Sequence, residues 1–177
     1  MGVIVLFIVG CGKDNVENSS PYDMWQYIAS SIDYEFEYKV YENGNYVDYI
    51  IETNRVLKDG EVRQENNRGE YFLLTRNSEN IVVKNIENNS SIVVQRYVSV
   101  GDEDIIDSVD IGSCHVEAYY RSKTILSLEF YNVVQINCLN REHGSIYYYA
   151  YDEGLVGLVN SRGSEIEERV KVDERRL

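Results

Sequence analysis

The chain has 177 residues, with 17 Lys+Arg against 30 Asp+Glu and a formal net charge of −13. This length suits one domain, able to bury roughly two-thirds of the surface its unfolded chain exposes. An apolar share of 44% excludes global disorder, a single Pro excludes a proline-rich linker, and the negative balance argues against a nucleic-acid partner, which needs clustered Lys and Arg.

Residues 3–9 read VIVLFIV, an unbroken apolar run followed by Gly10 and Cys11. The run is too short for a membrane helix, which needs about 20 apolar residues. It fits the end of a signal-peptide apolar region. Ile8-Val9-Gly10-Cys11 resembles the bacterial lipobox. That resemblance implies that the Cys11 thiol takes a diacylglyceryl group and becomes the mature N-terminus. Cysteine suits this chemistry because its thiolate is nucleophilic. Residues 1–10 are therefore read as a signal-peptide remnant, and the basic start of a signal peptide is expected upstream of Met1. The sequence GKDNVENSS, residues 12–20, reads as a flexible tether behind the anchor. Each buried CH₂ of an acyl chain contributes about 0.8 kcal/mol, so two or three chains hold a protein at a bilayer. The expected partner at this end is membrane lipid, and the expected location is the bacterial cell envelope, at the periplasmic face or outer membrane. Cys11→Ala is expected to abolish labelling by a fatty-acid probe; continued labelling would reject the anchor.

Residues 21–28, PYDMWQYI, read as one short helix. Pro21 suits a first turn, Ser20 a cap and Asp23 the N-terminal dipole. Met24, Trp25 and Ile28 share a face, read as packing against one end of a sheet.

From Ile32 the period becomes two. Ile32, Tyr34, Phe36, Tyr38 and Val40 alternate with charged residues, as in a half-buried strand. Asn43-Gly44 is a strong hairpin signal. Residues 46–58 continue the sheet with Val47, Tyr49 and Ile51 on one face, and Asp59-Gly60 marks a second hairpin. Further strands are predicted at 61–65, 70–76, 81–86, 92–100, 105–111, 114–120, 124–131, 133–140, 145–151 and 155–160. Short turns between regular strands mean an antiparallel meander, and so many twisted strands must curl. The predicted fold is mainly β: a strongly curved antiparallel sheet, a half-barrel or open barrel, with the short helix on its concave side. Residues 21–160 form one β-rich domain. Residues 161–177 are highly charged and read as a tail or an edge strand.

The segment YYYAYDEGLVG, residues 147–157, is similar to a C-terminal signature of exported bacterial proteins, roughly Tyr-Tyr-x-Ala-x-x-x-Gly-Leu-Val. The signature belongs to TapB-like proteins and related periplasmic lipoproteins. Phe130-Tyr131-Asn132-Val133-Val134-Gln135-Ile136 looks like the strand that precedes it there. The resemblance implies a curved sheet of the kind found in the LolA and LolB lipoprotein carriers, and no catalytic residue. The residues agree: Gly154 suits a hairpin that needs φ > 0.

With Cys11 lipidated, Cys114 and Cys138 remain as a pair, and export would favour a bridge between them. Cys114 shares strand parity with Val116, Ala118 and Tyr120, and Cys138 with Val134 and Ile136. A bridge closing about 25 residues would contribute roughly 3 kcal/mol. Two separate buried thiols are the alternative. A zinc site from Cys114, His115, Cys138 and His143 is disfavoured, because adjacent strand residues point to opposite faces. The acidic run Asp102, Glu103, Asp104, Asp107 and Asp110 lacks a calcium-loop pattern and reads as solvated. Glu87-Asn88-Asn89-Ser90-Ser91 fits the bacterial glycosylation sequon, with Asn89 as acceptor in an exposed loop. The 16 Tyr read mainly as strand residues. No nucleophile system, phosphate loop, metal site or cofactor motif stands out, so a non-catalytic protein is expected. Either the concave face binds an apolar ligand (an acyl chain, a peptide or another lipoprotein), or the interior is filled and the protein is a structural or surface-interaction module. An open apolar cavity of at least about 300 Å³ would favour the first.

Overall fold

Turn chemistry lays out the sheet. At Asn43 and Gly44 both φ angles are positive, +48° and +80°. This is the backbone of a two-residue hairpin turn whose twist matches the strands it joins. The computed structural model describes residues 21–29, 33–107, 111–139 and 143–177. The lipobox, Cys11, the tether, Ser20, Ile32 and Asp110 lie outside the described residues.

Chain order runs β1 (Tyr22–Asp23), α1 (Trp25–Ile28), β2 (Tyr34–Glu42), β3 (Asn45–Lys58), β4 (Glu61–Asn66), β5 (Tyr71–Arg76), β6 (Asn80–Asn85) and β7 (Ser91–Gln95). It continues through β8 (Tyr97–Val98), β9 (Ile106–Asp107), β10 (Ser113–Ile125), β11 (Leu128–Leu139), β12 (His143–Ala150), β13 (Gly154–Arg162) and β14 (Glu165–Arg176). Twelve strands form one sheet in the order β10-β11-β12-β13-β14-β2-β3-β4-β5-β6-β7-β9, and β1 pairs with β8 separately. Every pairing is antiparallel. The sheet curls into a nearly closed barrel. Its two edges are bridged by the segment before β9: the Val116 amide donates to the Asp102 carbonyl (3.0 Å) and the Ile105 amide to the Cys114 carbonyl (3.2 Å). No helix among the described residues is long and apolar enough to cross a membrane.

The helix is shorter than the sequence suggests. Tyr22 and Asp23 are strand, and only Trp25–Ile28 is helical. The reason is Arg96, whose guanidinium takes both carboxylate oxygens of Asp23 at 3.0 and 2.8 Å, while its carbonyl accepts from the Met24 amide. Burial opposes ionisation of Asp23, but the Arg96 bonds, the Trp25 amide and the nearby Arg76 charge outweigh it and hold the carboxyl below its ordinary range. Arg96 also splits residues 92–100 into β7 and β8. The helical turn plugs the barrel: Met24, Trp25, Tyr27 and Ala29 join one apolar core with Val62, Leu74, Ile81 and Val94 on one side and Cys114, Val116, Val134 and Ile136 on the other.

Three further expectations change. Residues 124–131 are not a strand of their own, because β10 and β11 meet at a tight turn, Leu126-Ser127, with φ of +44° and +75°. Nothing in those residue types announces such a turn. Next, a bulge between Val116 and Ala118 breaks the parity along β10. Cys114 and Val116 face the main core, but Ala118 and Tyr120 belong to a second cluster on the outer face, with Ile125, Phe130, Ala150, Val156 and Val170. The hairpin tip folds back so closely that a Cβ at Gly157 would lie 2.9 Å from Ile125 Cδ1. Last, 161–177 is neither tail nor edge. β14 is an interior strand, hydrogen-bonded to β13 on one side and β2 on the other. Its polar residues hid this. Lys171 is buried yet donates to the carboxylates of Glu153 and Glu174, both at 2.9 Å.

Candidate functional site

The inner faces of β3, β4 and β5 define the site. Parity along β3 puts Ile50, Glu52, Asn54 and Val56 inward, while Val47 and Tyr49 are exposed. The face carrying the more obvious apolar residues is therefore the outer one. A cavity of about 230 Å³ lies inside the barrel. Phe36, Phe72, Leu74, Val83 and Ile92 supply its apolar wall, and Glu52, Asn54 and Gln64 a polar patch. Ile28 of the plug and Leu155 of β13 also line it, with the stacked rings of Tyr147 and Tyr149. A larger recess of about 660 Å³ shares Ile111 and Tyr147 with it. That recess is polar, lined by Glu42, His143, Ser145, Asn160, Glu167 and Arg169 among others. The apolar cavity thus falls short of the 300 Å³ that would mark a carrier of acyl chains or peptides, and the larger recess is not apolar.

Glu52 is the electrostatic centre. Its Oε1 accepts from Gln64 Nε2 at 2.8 Å and from the Tyr38 hydroxyl at 3.4 Å. Burial pushes its carboxyl up to about 7. The two hydrogen bonds and the Arg169 charge favour the ionised form, and Glu70 opposes it, so burial dominates. Burial also raises Tyr38 well above the ordinary phenol, with help from Glu52, and raises Tyr149. Asn54 is 2% exposed, and its Oδ1 has no hydrogen-bond partner among the described residues.

A raised carboxyl makes stability fall as pH rises. Between the unfolded value near 4.5 and the folded value near 7, the folded chain binds more protons than the unfolded one. Stability contributed by protonated Glu52 is present below that window and lost above it. Glu52→Gln, which keeps an acceptor for both donors, is expected to lie within about 1 kcal/mol of the parent at pH 5. At pH 8 it is expected to be more stable by on the order of 3 kcal/mol. Urea unfolding at both pH values checks this; an equal gain at pH 5 and 8 would show that Glu52 is not the titrating group.

Cys114 and Cys138 are bonded to each other, with S–S 2.06 Å and Cα atoms 4.0 Å apart at directly opposed positions of β10 and β11. The bond removes both thiols from any metal set. Among the described residues no group of His, Cys, Asp and Glu is arranged to hold a metal. Asn89 is exposed in the turn between β6 and β7, with φ of +59°. Gly154 has the positive φ its motif calls for, +76°. The candidate residues from sequence do not converge: Asn89 is at the surface, the disulfide lies beside the barrel seam, and Cys11 is outside the described residues. The lumen residues Glu52, Asn54 and Gln64 were not singled out. Their one signal was parity, Glu52 and Asn54 with Ile50 and Val56 on β3 and Gln64 with Val62 on β4.

Fold and lumen define a class: a nearly closed antiparallel β-barrel, plugged by a helical turn, with a polar patch set in an apolar cavity. No protein-family profile matches the chain, and no curated protein matches it. Among solved structures it is similar to a Bacteroides fragilis protein described as exported, with a YmcC-like fold, at 8% identity and a TM-score of 0.44, covering 85% of this chain and 99% of that one. It is also similar to MucB, at 11% identity and a TM-score of 0.39, covering 87% of this chain. The chain spans about half of MucB, 55% of its length.

Proposed function

We propose that this is an exported, lipid-anchored envelope protein that performs no catalysis and holds a small ligand in its lumen. The observation that carries the reading is the lumen cavity of about 230 Å³, which opens in part to solvent. A filled structural module has no reason to leave such a space, because protein interiors otherwise pack to the density of organic crystals. Engineered apolar cavities of about 150 Å³ take benzene, so the lumen is sized for one ring or a short chain rather than an acyl tail. Export and anchoring are supported by the lipobox at Cys11 and by the Cys114–Cys138 disulfide, which persists in an oxidising compartment.

Titration with benzene, followed by methyl resonances, tests the cavity. Selective shifts at Leu74, Val83 and Ile92 are expected. No response at saturating benzene, or shifts spread evenly over the surface, would favour the filled structural module instead.

A further inference from the structure

We propose that the lumen selects a small protonated amine bearing one compact apolar group, with Glu52 as its counter-ion. The inference rests on the reading of the lumen as a binding cavity and names what that cavity prefers.

Charge makes the first argument. The cavity wall holds one carboxyl, Glu52, and no Lys, Arg or His. An anionic ligand would meet repulsion there, and the cations behind the wall are already paired: Arg169 with Glu167, and Lys171, over the Phe36 ring, with Glu153 and Glu174. Both hydrogen bonds to Glu52 fall on Oε1, and Oε2 has no partner among the described residues. A carboxylate that has lost much of its water and keeps one oxygen unbonded favours a charged donor. The chain's net charge of −13 also raises the local concentration of cations.

Hydrogen bonding makes the second. Gln64 and the Tyr38 hydroxyl both donate to Glu52 Oε1, which leaves Oε2 for a donor from the ligand. An ammonium carries three such hydrogens and the charge that a carboxylate answers.

The rest of the wall defines the other half of the ligand. Phe36, Phe72, Leu74, Val83 and Ile92 offer apolar contact, and aromatic rings tolerate a cation close by, as Lys171 Nζ does 5.1 Å from the Phe36 centroid. A metal ion is a poorer fit, because calcium takes six to eight oxygens and one carboxyl supplies two at most.

Binding should couple to protons. An ammonium beside Glu52 holds it ionised, so below neutrality the complex forms with release of a proton. The groups around Glu52 are Tyr38, Gln64, Arg169, Glu70 and Tyr149. Tyr38 and Tyr149 stay neutral across this range because burial raises both. Affinity for the amine therefore rises between pH 6 and pH 8.

The experiment titrates the full chain with benzylamine, benzyl alcohol and benzoate at pH 8 and pH 6. At pH 8 benzylammonium is expected to bind about tenfold more tightly than benzyl alcohol, and benzoate not at all. Glu52→Gln, expected to fold at least as well as the parent, should bring the amine down to the level of the alcohol. Equal binding of amine and alcohol by the parent, or an amine preference that survives Glu52→Gln, would overturn the inference. If benzene binds and the amine shows no advantage, the cavity reading stands alone. If neither benzene nor benzylamine binds, both readings fall.

Discussion

Truncation after Asn160 is expected to leave a chain that does not fold. By composition the removed residues look expendable, since they are mostly charged. By position they are not. β14 is the strand through which the C-terminal half of the sheet, β10 to β13, meets the half that begins at β2. Its loss strips hydrogen-bond partners from β13 and β2 at once and opens the barrel along a second line. It also removes Val170, 1% exposed in the outer cluster, and takes Lys171 from Glu153. Domains of this kind are stable by only about 5–15 kcal/mol, and losing a central strand exceeds that. The truncated chain should show no cooperative urea transition. Val170→Asp in the full chain tests the same point by burying an unpaired charge where β14 packs, and it should lower the midpoint sharply. A truncated protein that unfolds cooperatively near the parent's midpoint would mean β14 is an accessory strand after all.

The parts of the fold legible in the sequence were those where pattern and turn chemistry spoke together. Ile32 to Val40 alternates cleanly, and Asn43-Gly44 closes the hairpin the dipeptide calls for. Gly154 carries the positive φ expected of it. The misreadings share a cause: a local signal overridden by pairing with other parts of the fold. Leu126-Ser127 adopts a turn usually made by Asn and Gly, held by the long pairing of β10 with β11. Asp23 leaves the helix for Arg96, 73 residues away. One extra residue at Glu117 turns Tyr120 to the outer face. No short window of sequence contains both Asp23 and Arg96, and no residue type at the turn or the bulge announces it.

The site was hidden for a different reason. Alternation finds an inner face by its apolar residues, and the inner face of β3 mixes Ile50 and Val56 with Glu52 and Asn54. The outer face, with Val47, Tyr49 and Ile51, looks more like a core. A strand that lines a binding cavity need not be uniformly apolar, so the very residues that give the lumen its chemistry erase the pattern that would locate it. Glu52 also works against stability above neutrality, since its carboxyl is held near 7 by burial. Sites of function are where such costs persist.

Breaking the Cys114–Cys138 bond is expected to cost about 3 kcal/mol, the chain-entropy value for a loop of this length. The two residues are 24 apart in sequence. They sit opposite each other at the end of the β10–β11 hairpin away from its turn, so the unfolded chain gains the freedom of the whole hairpin when the bond opens. For a domain of this size the loss corresponds to roughly 10 °C in Tm. Both cysteines are buried, at 0% and 4% exposure, so reduction and substitution should differ. Reduced protein keeps the thiols as packing, whereas Cys114→Ala/Cys138→Ala also empties the space they fill and should melt lower still. The location of the bond adds a spatial signature. Cys114 carries the carbonyl that accepts from Ile105 across the seam, and Val116, two residues on, accepts from and donates to residues 101–102. Hydrogen exchange at the Ile105 and Val116 amides should therefore accelerate on reduction before that of β3 and β4, as the barrel opens along its seam. A melting point unchanged by reductant would remove the bond from the list of forces holding the barrel shut, and with it the argument that the fold is completed in an oxidising compartment.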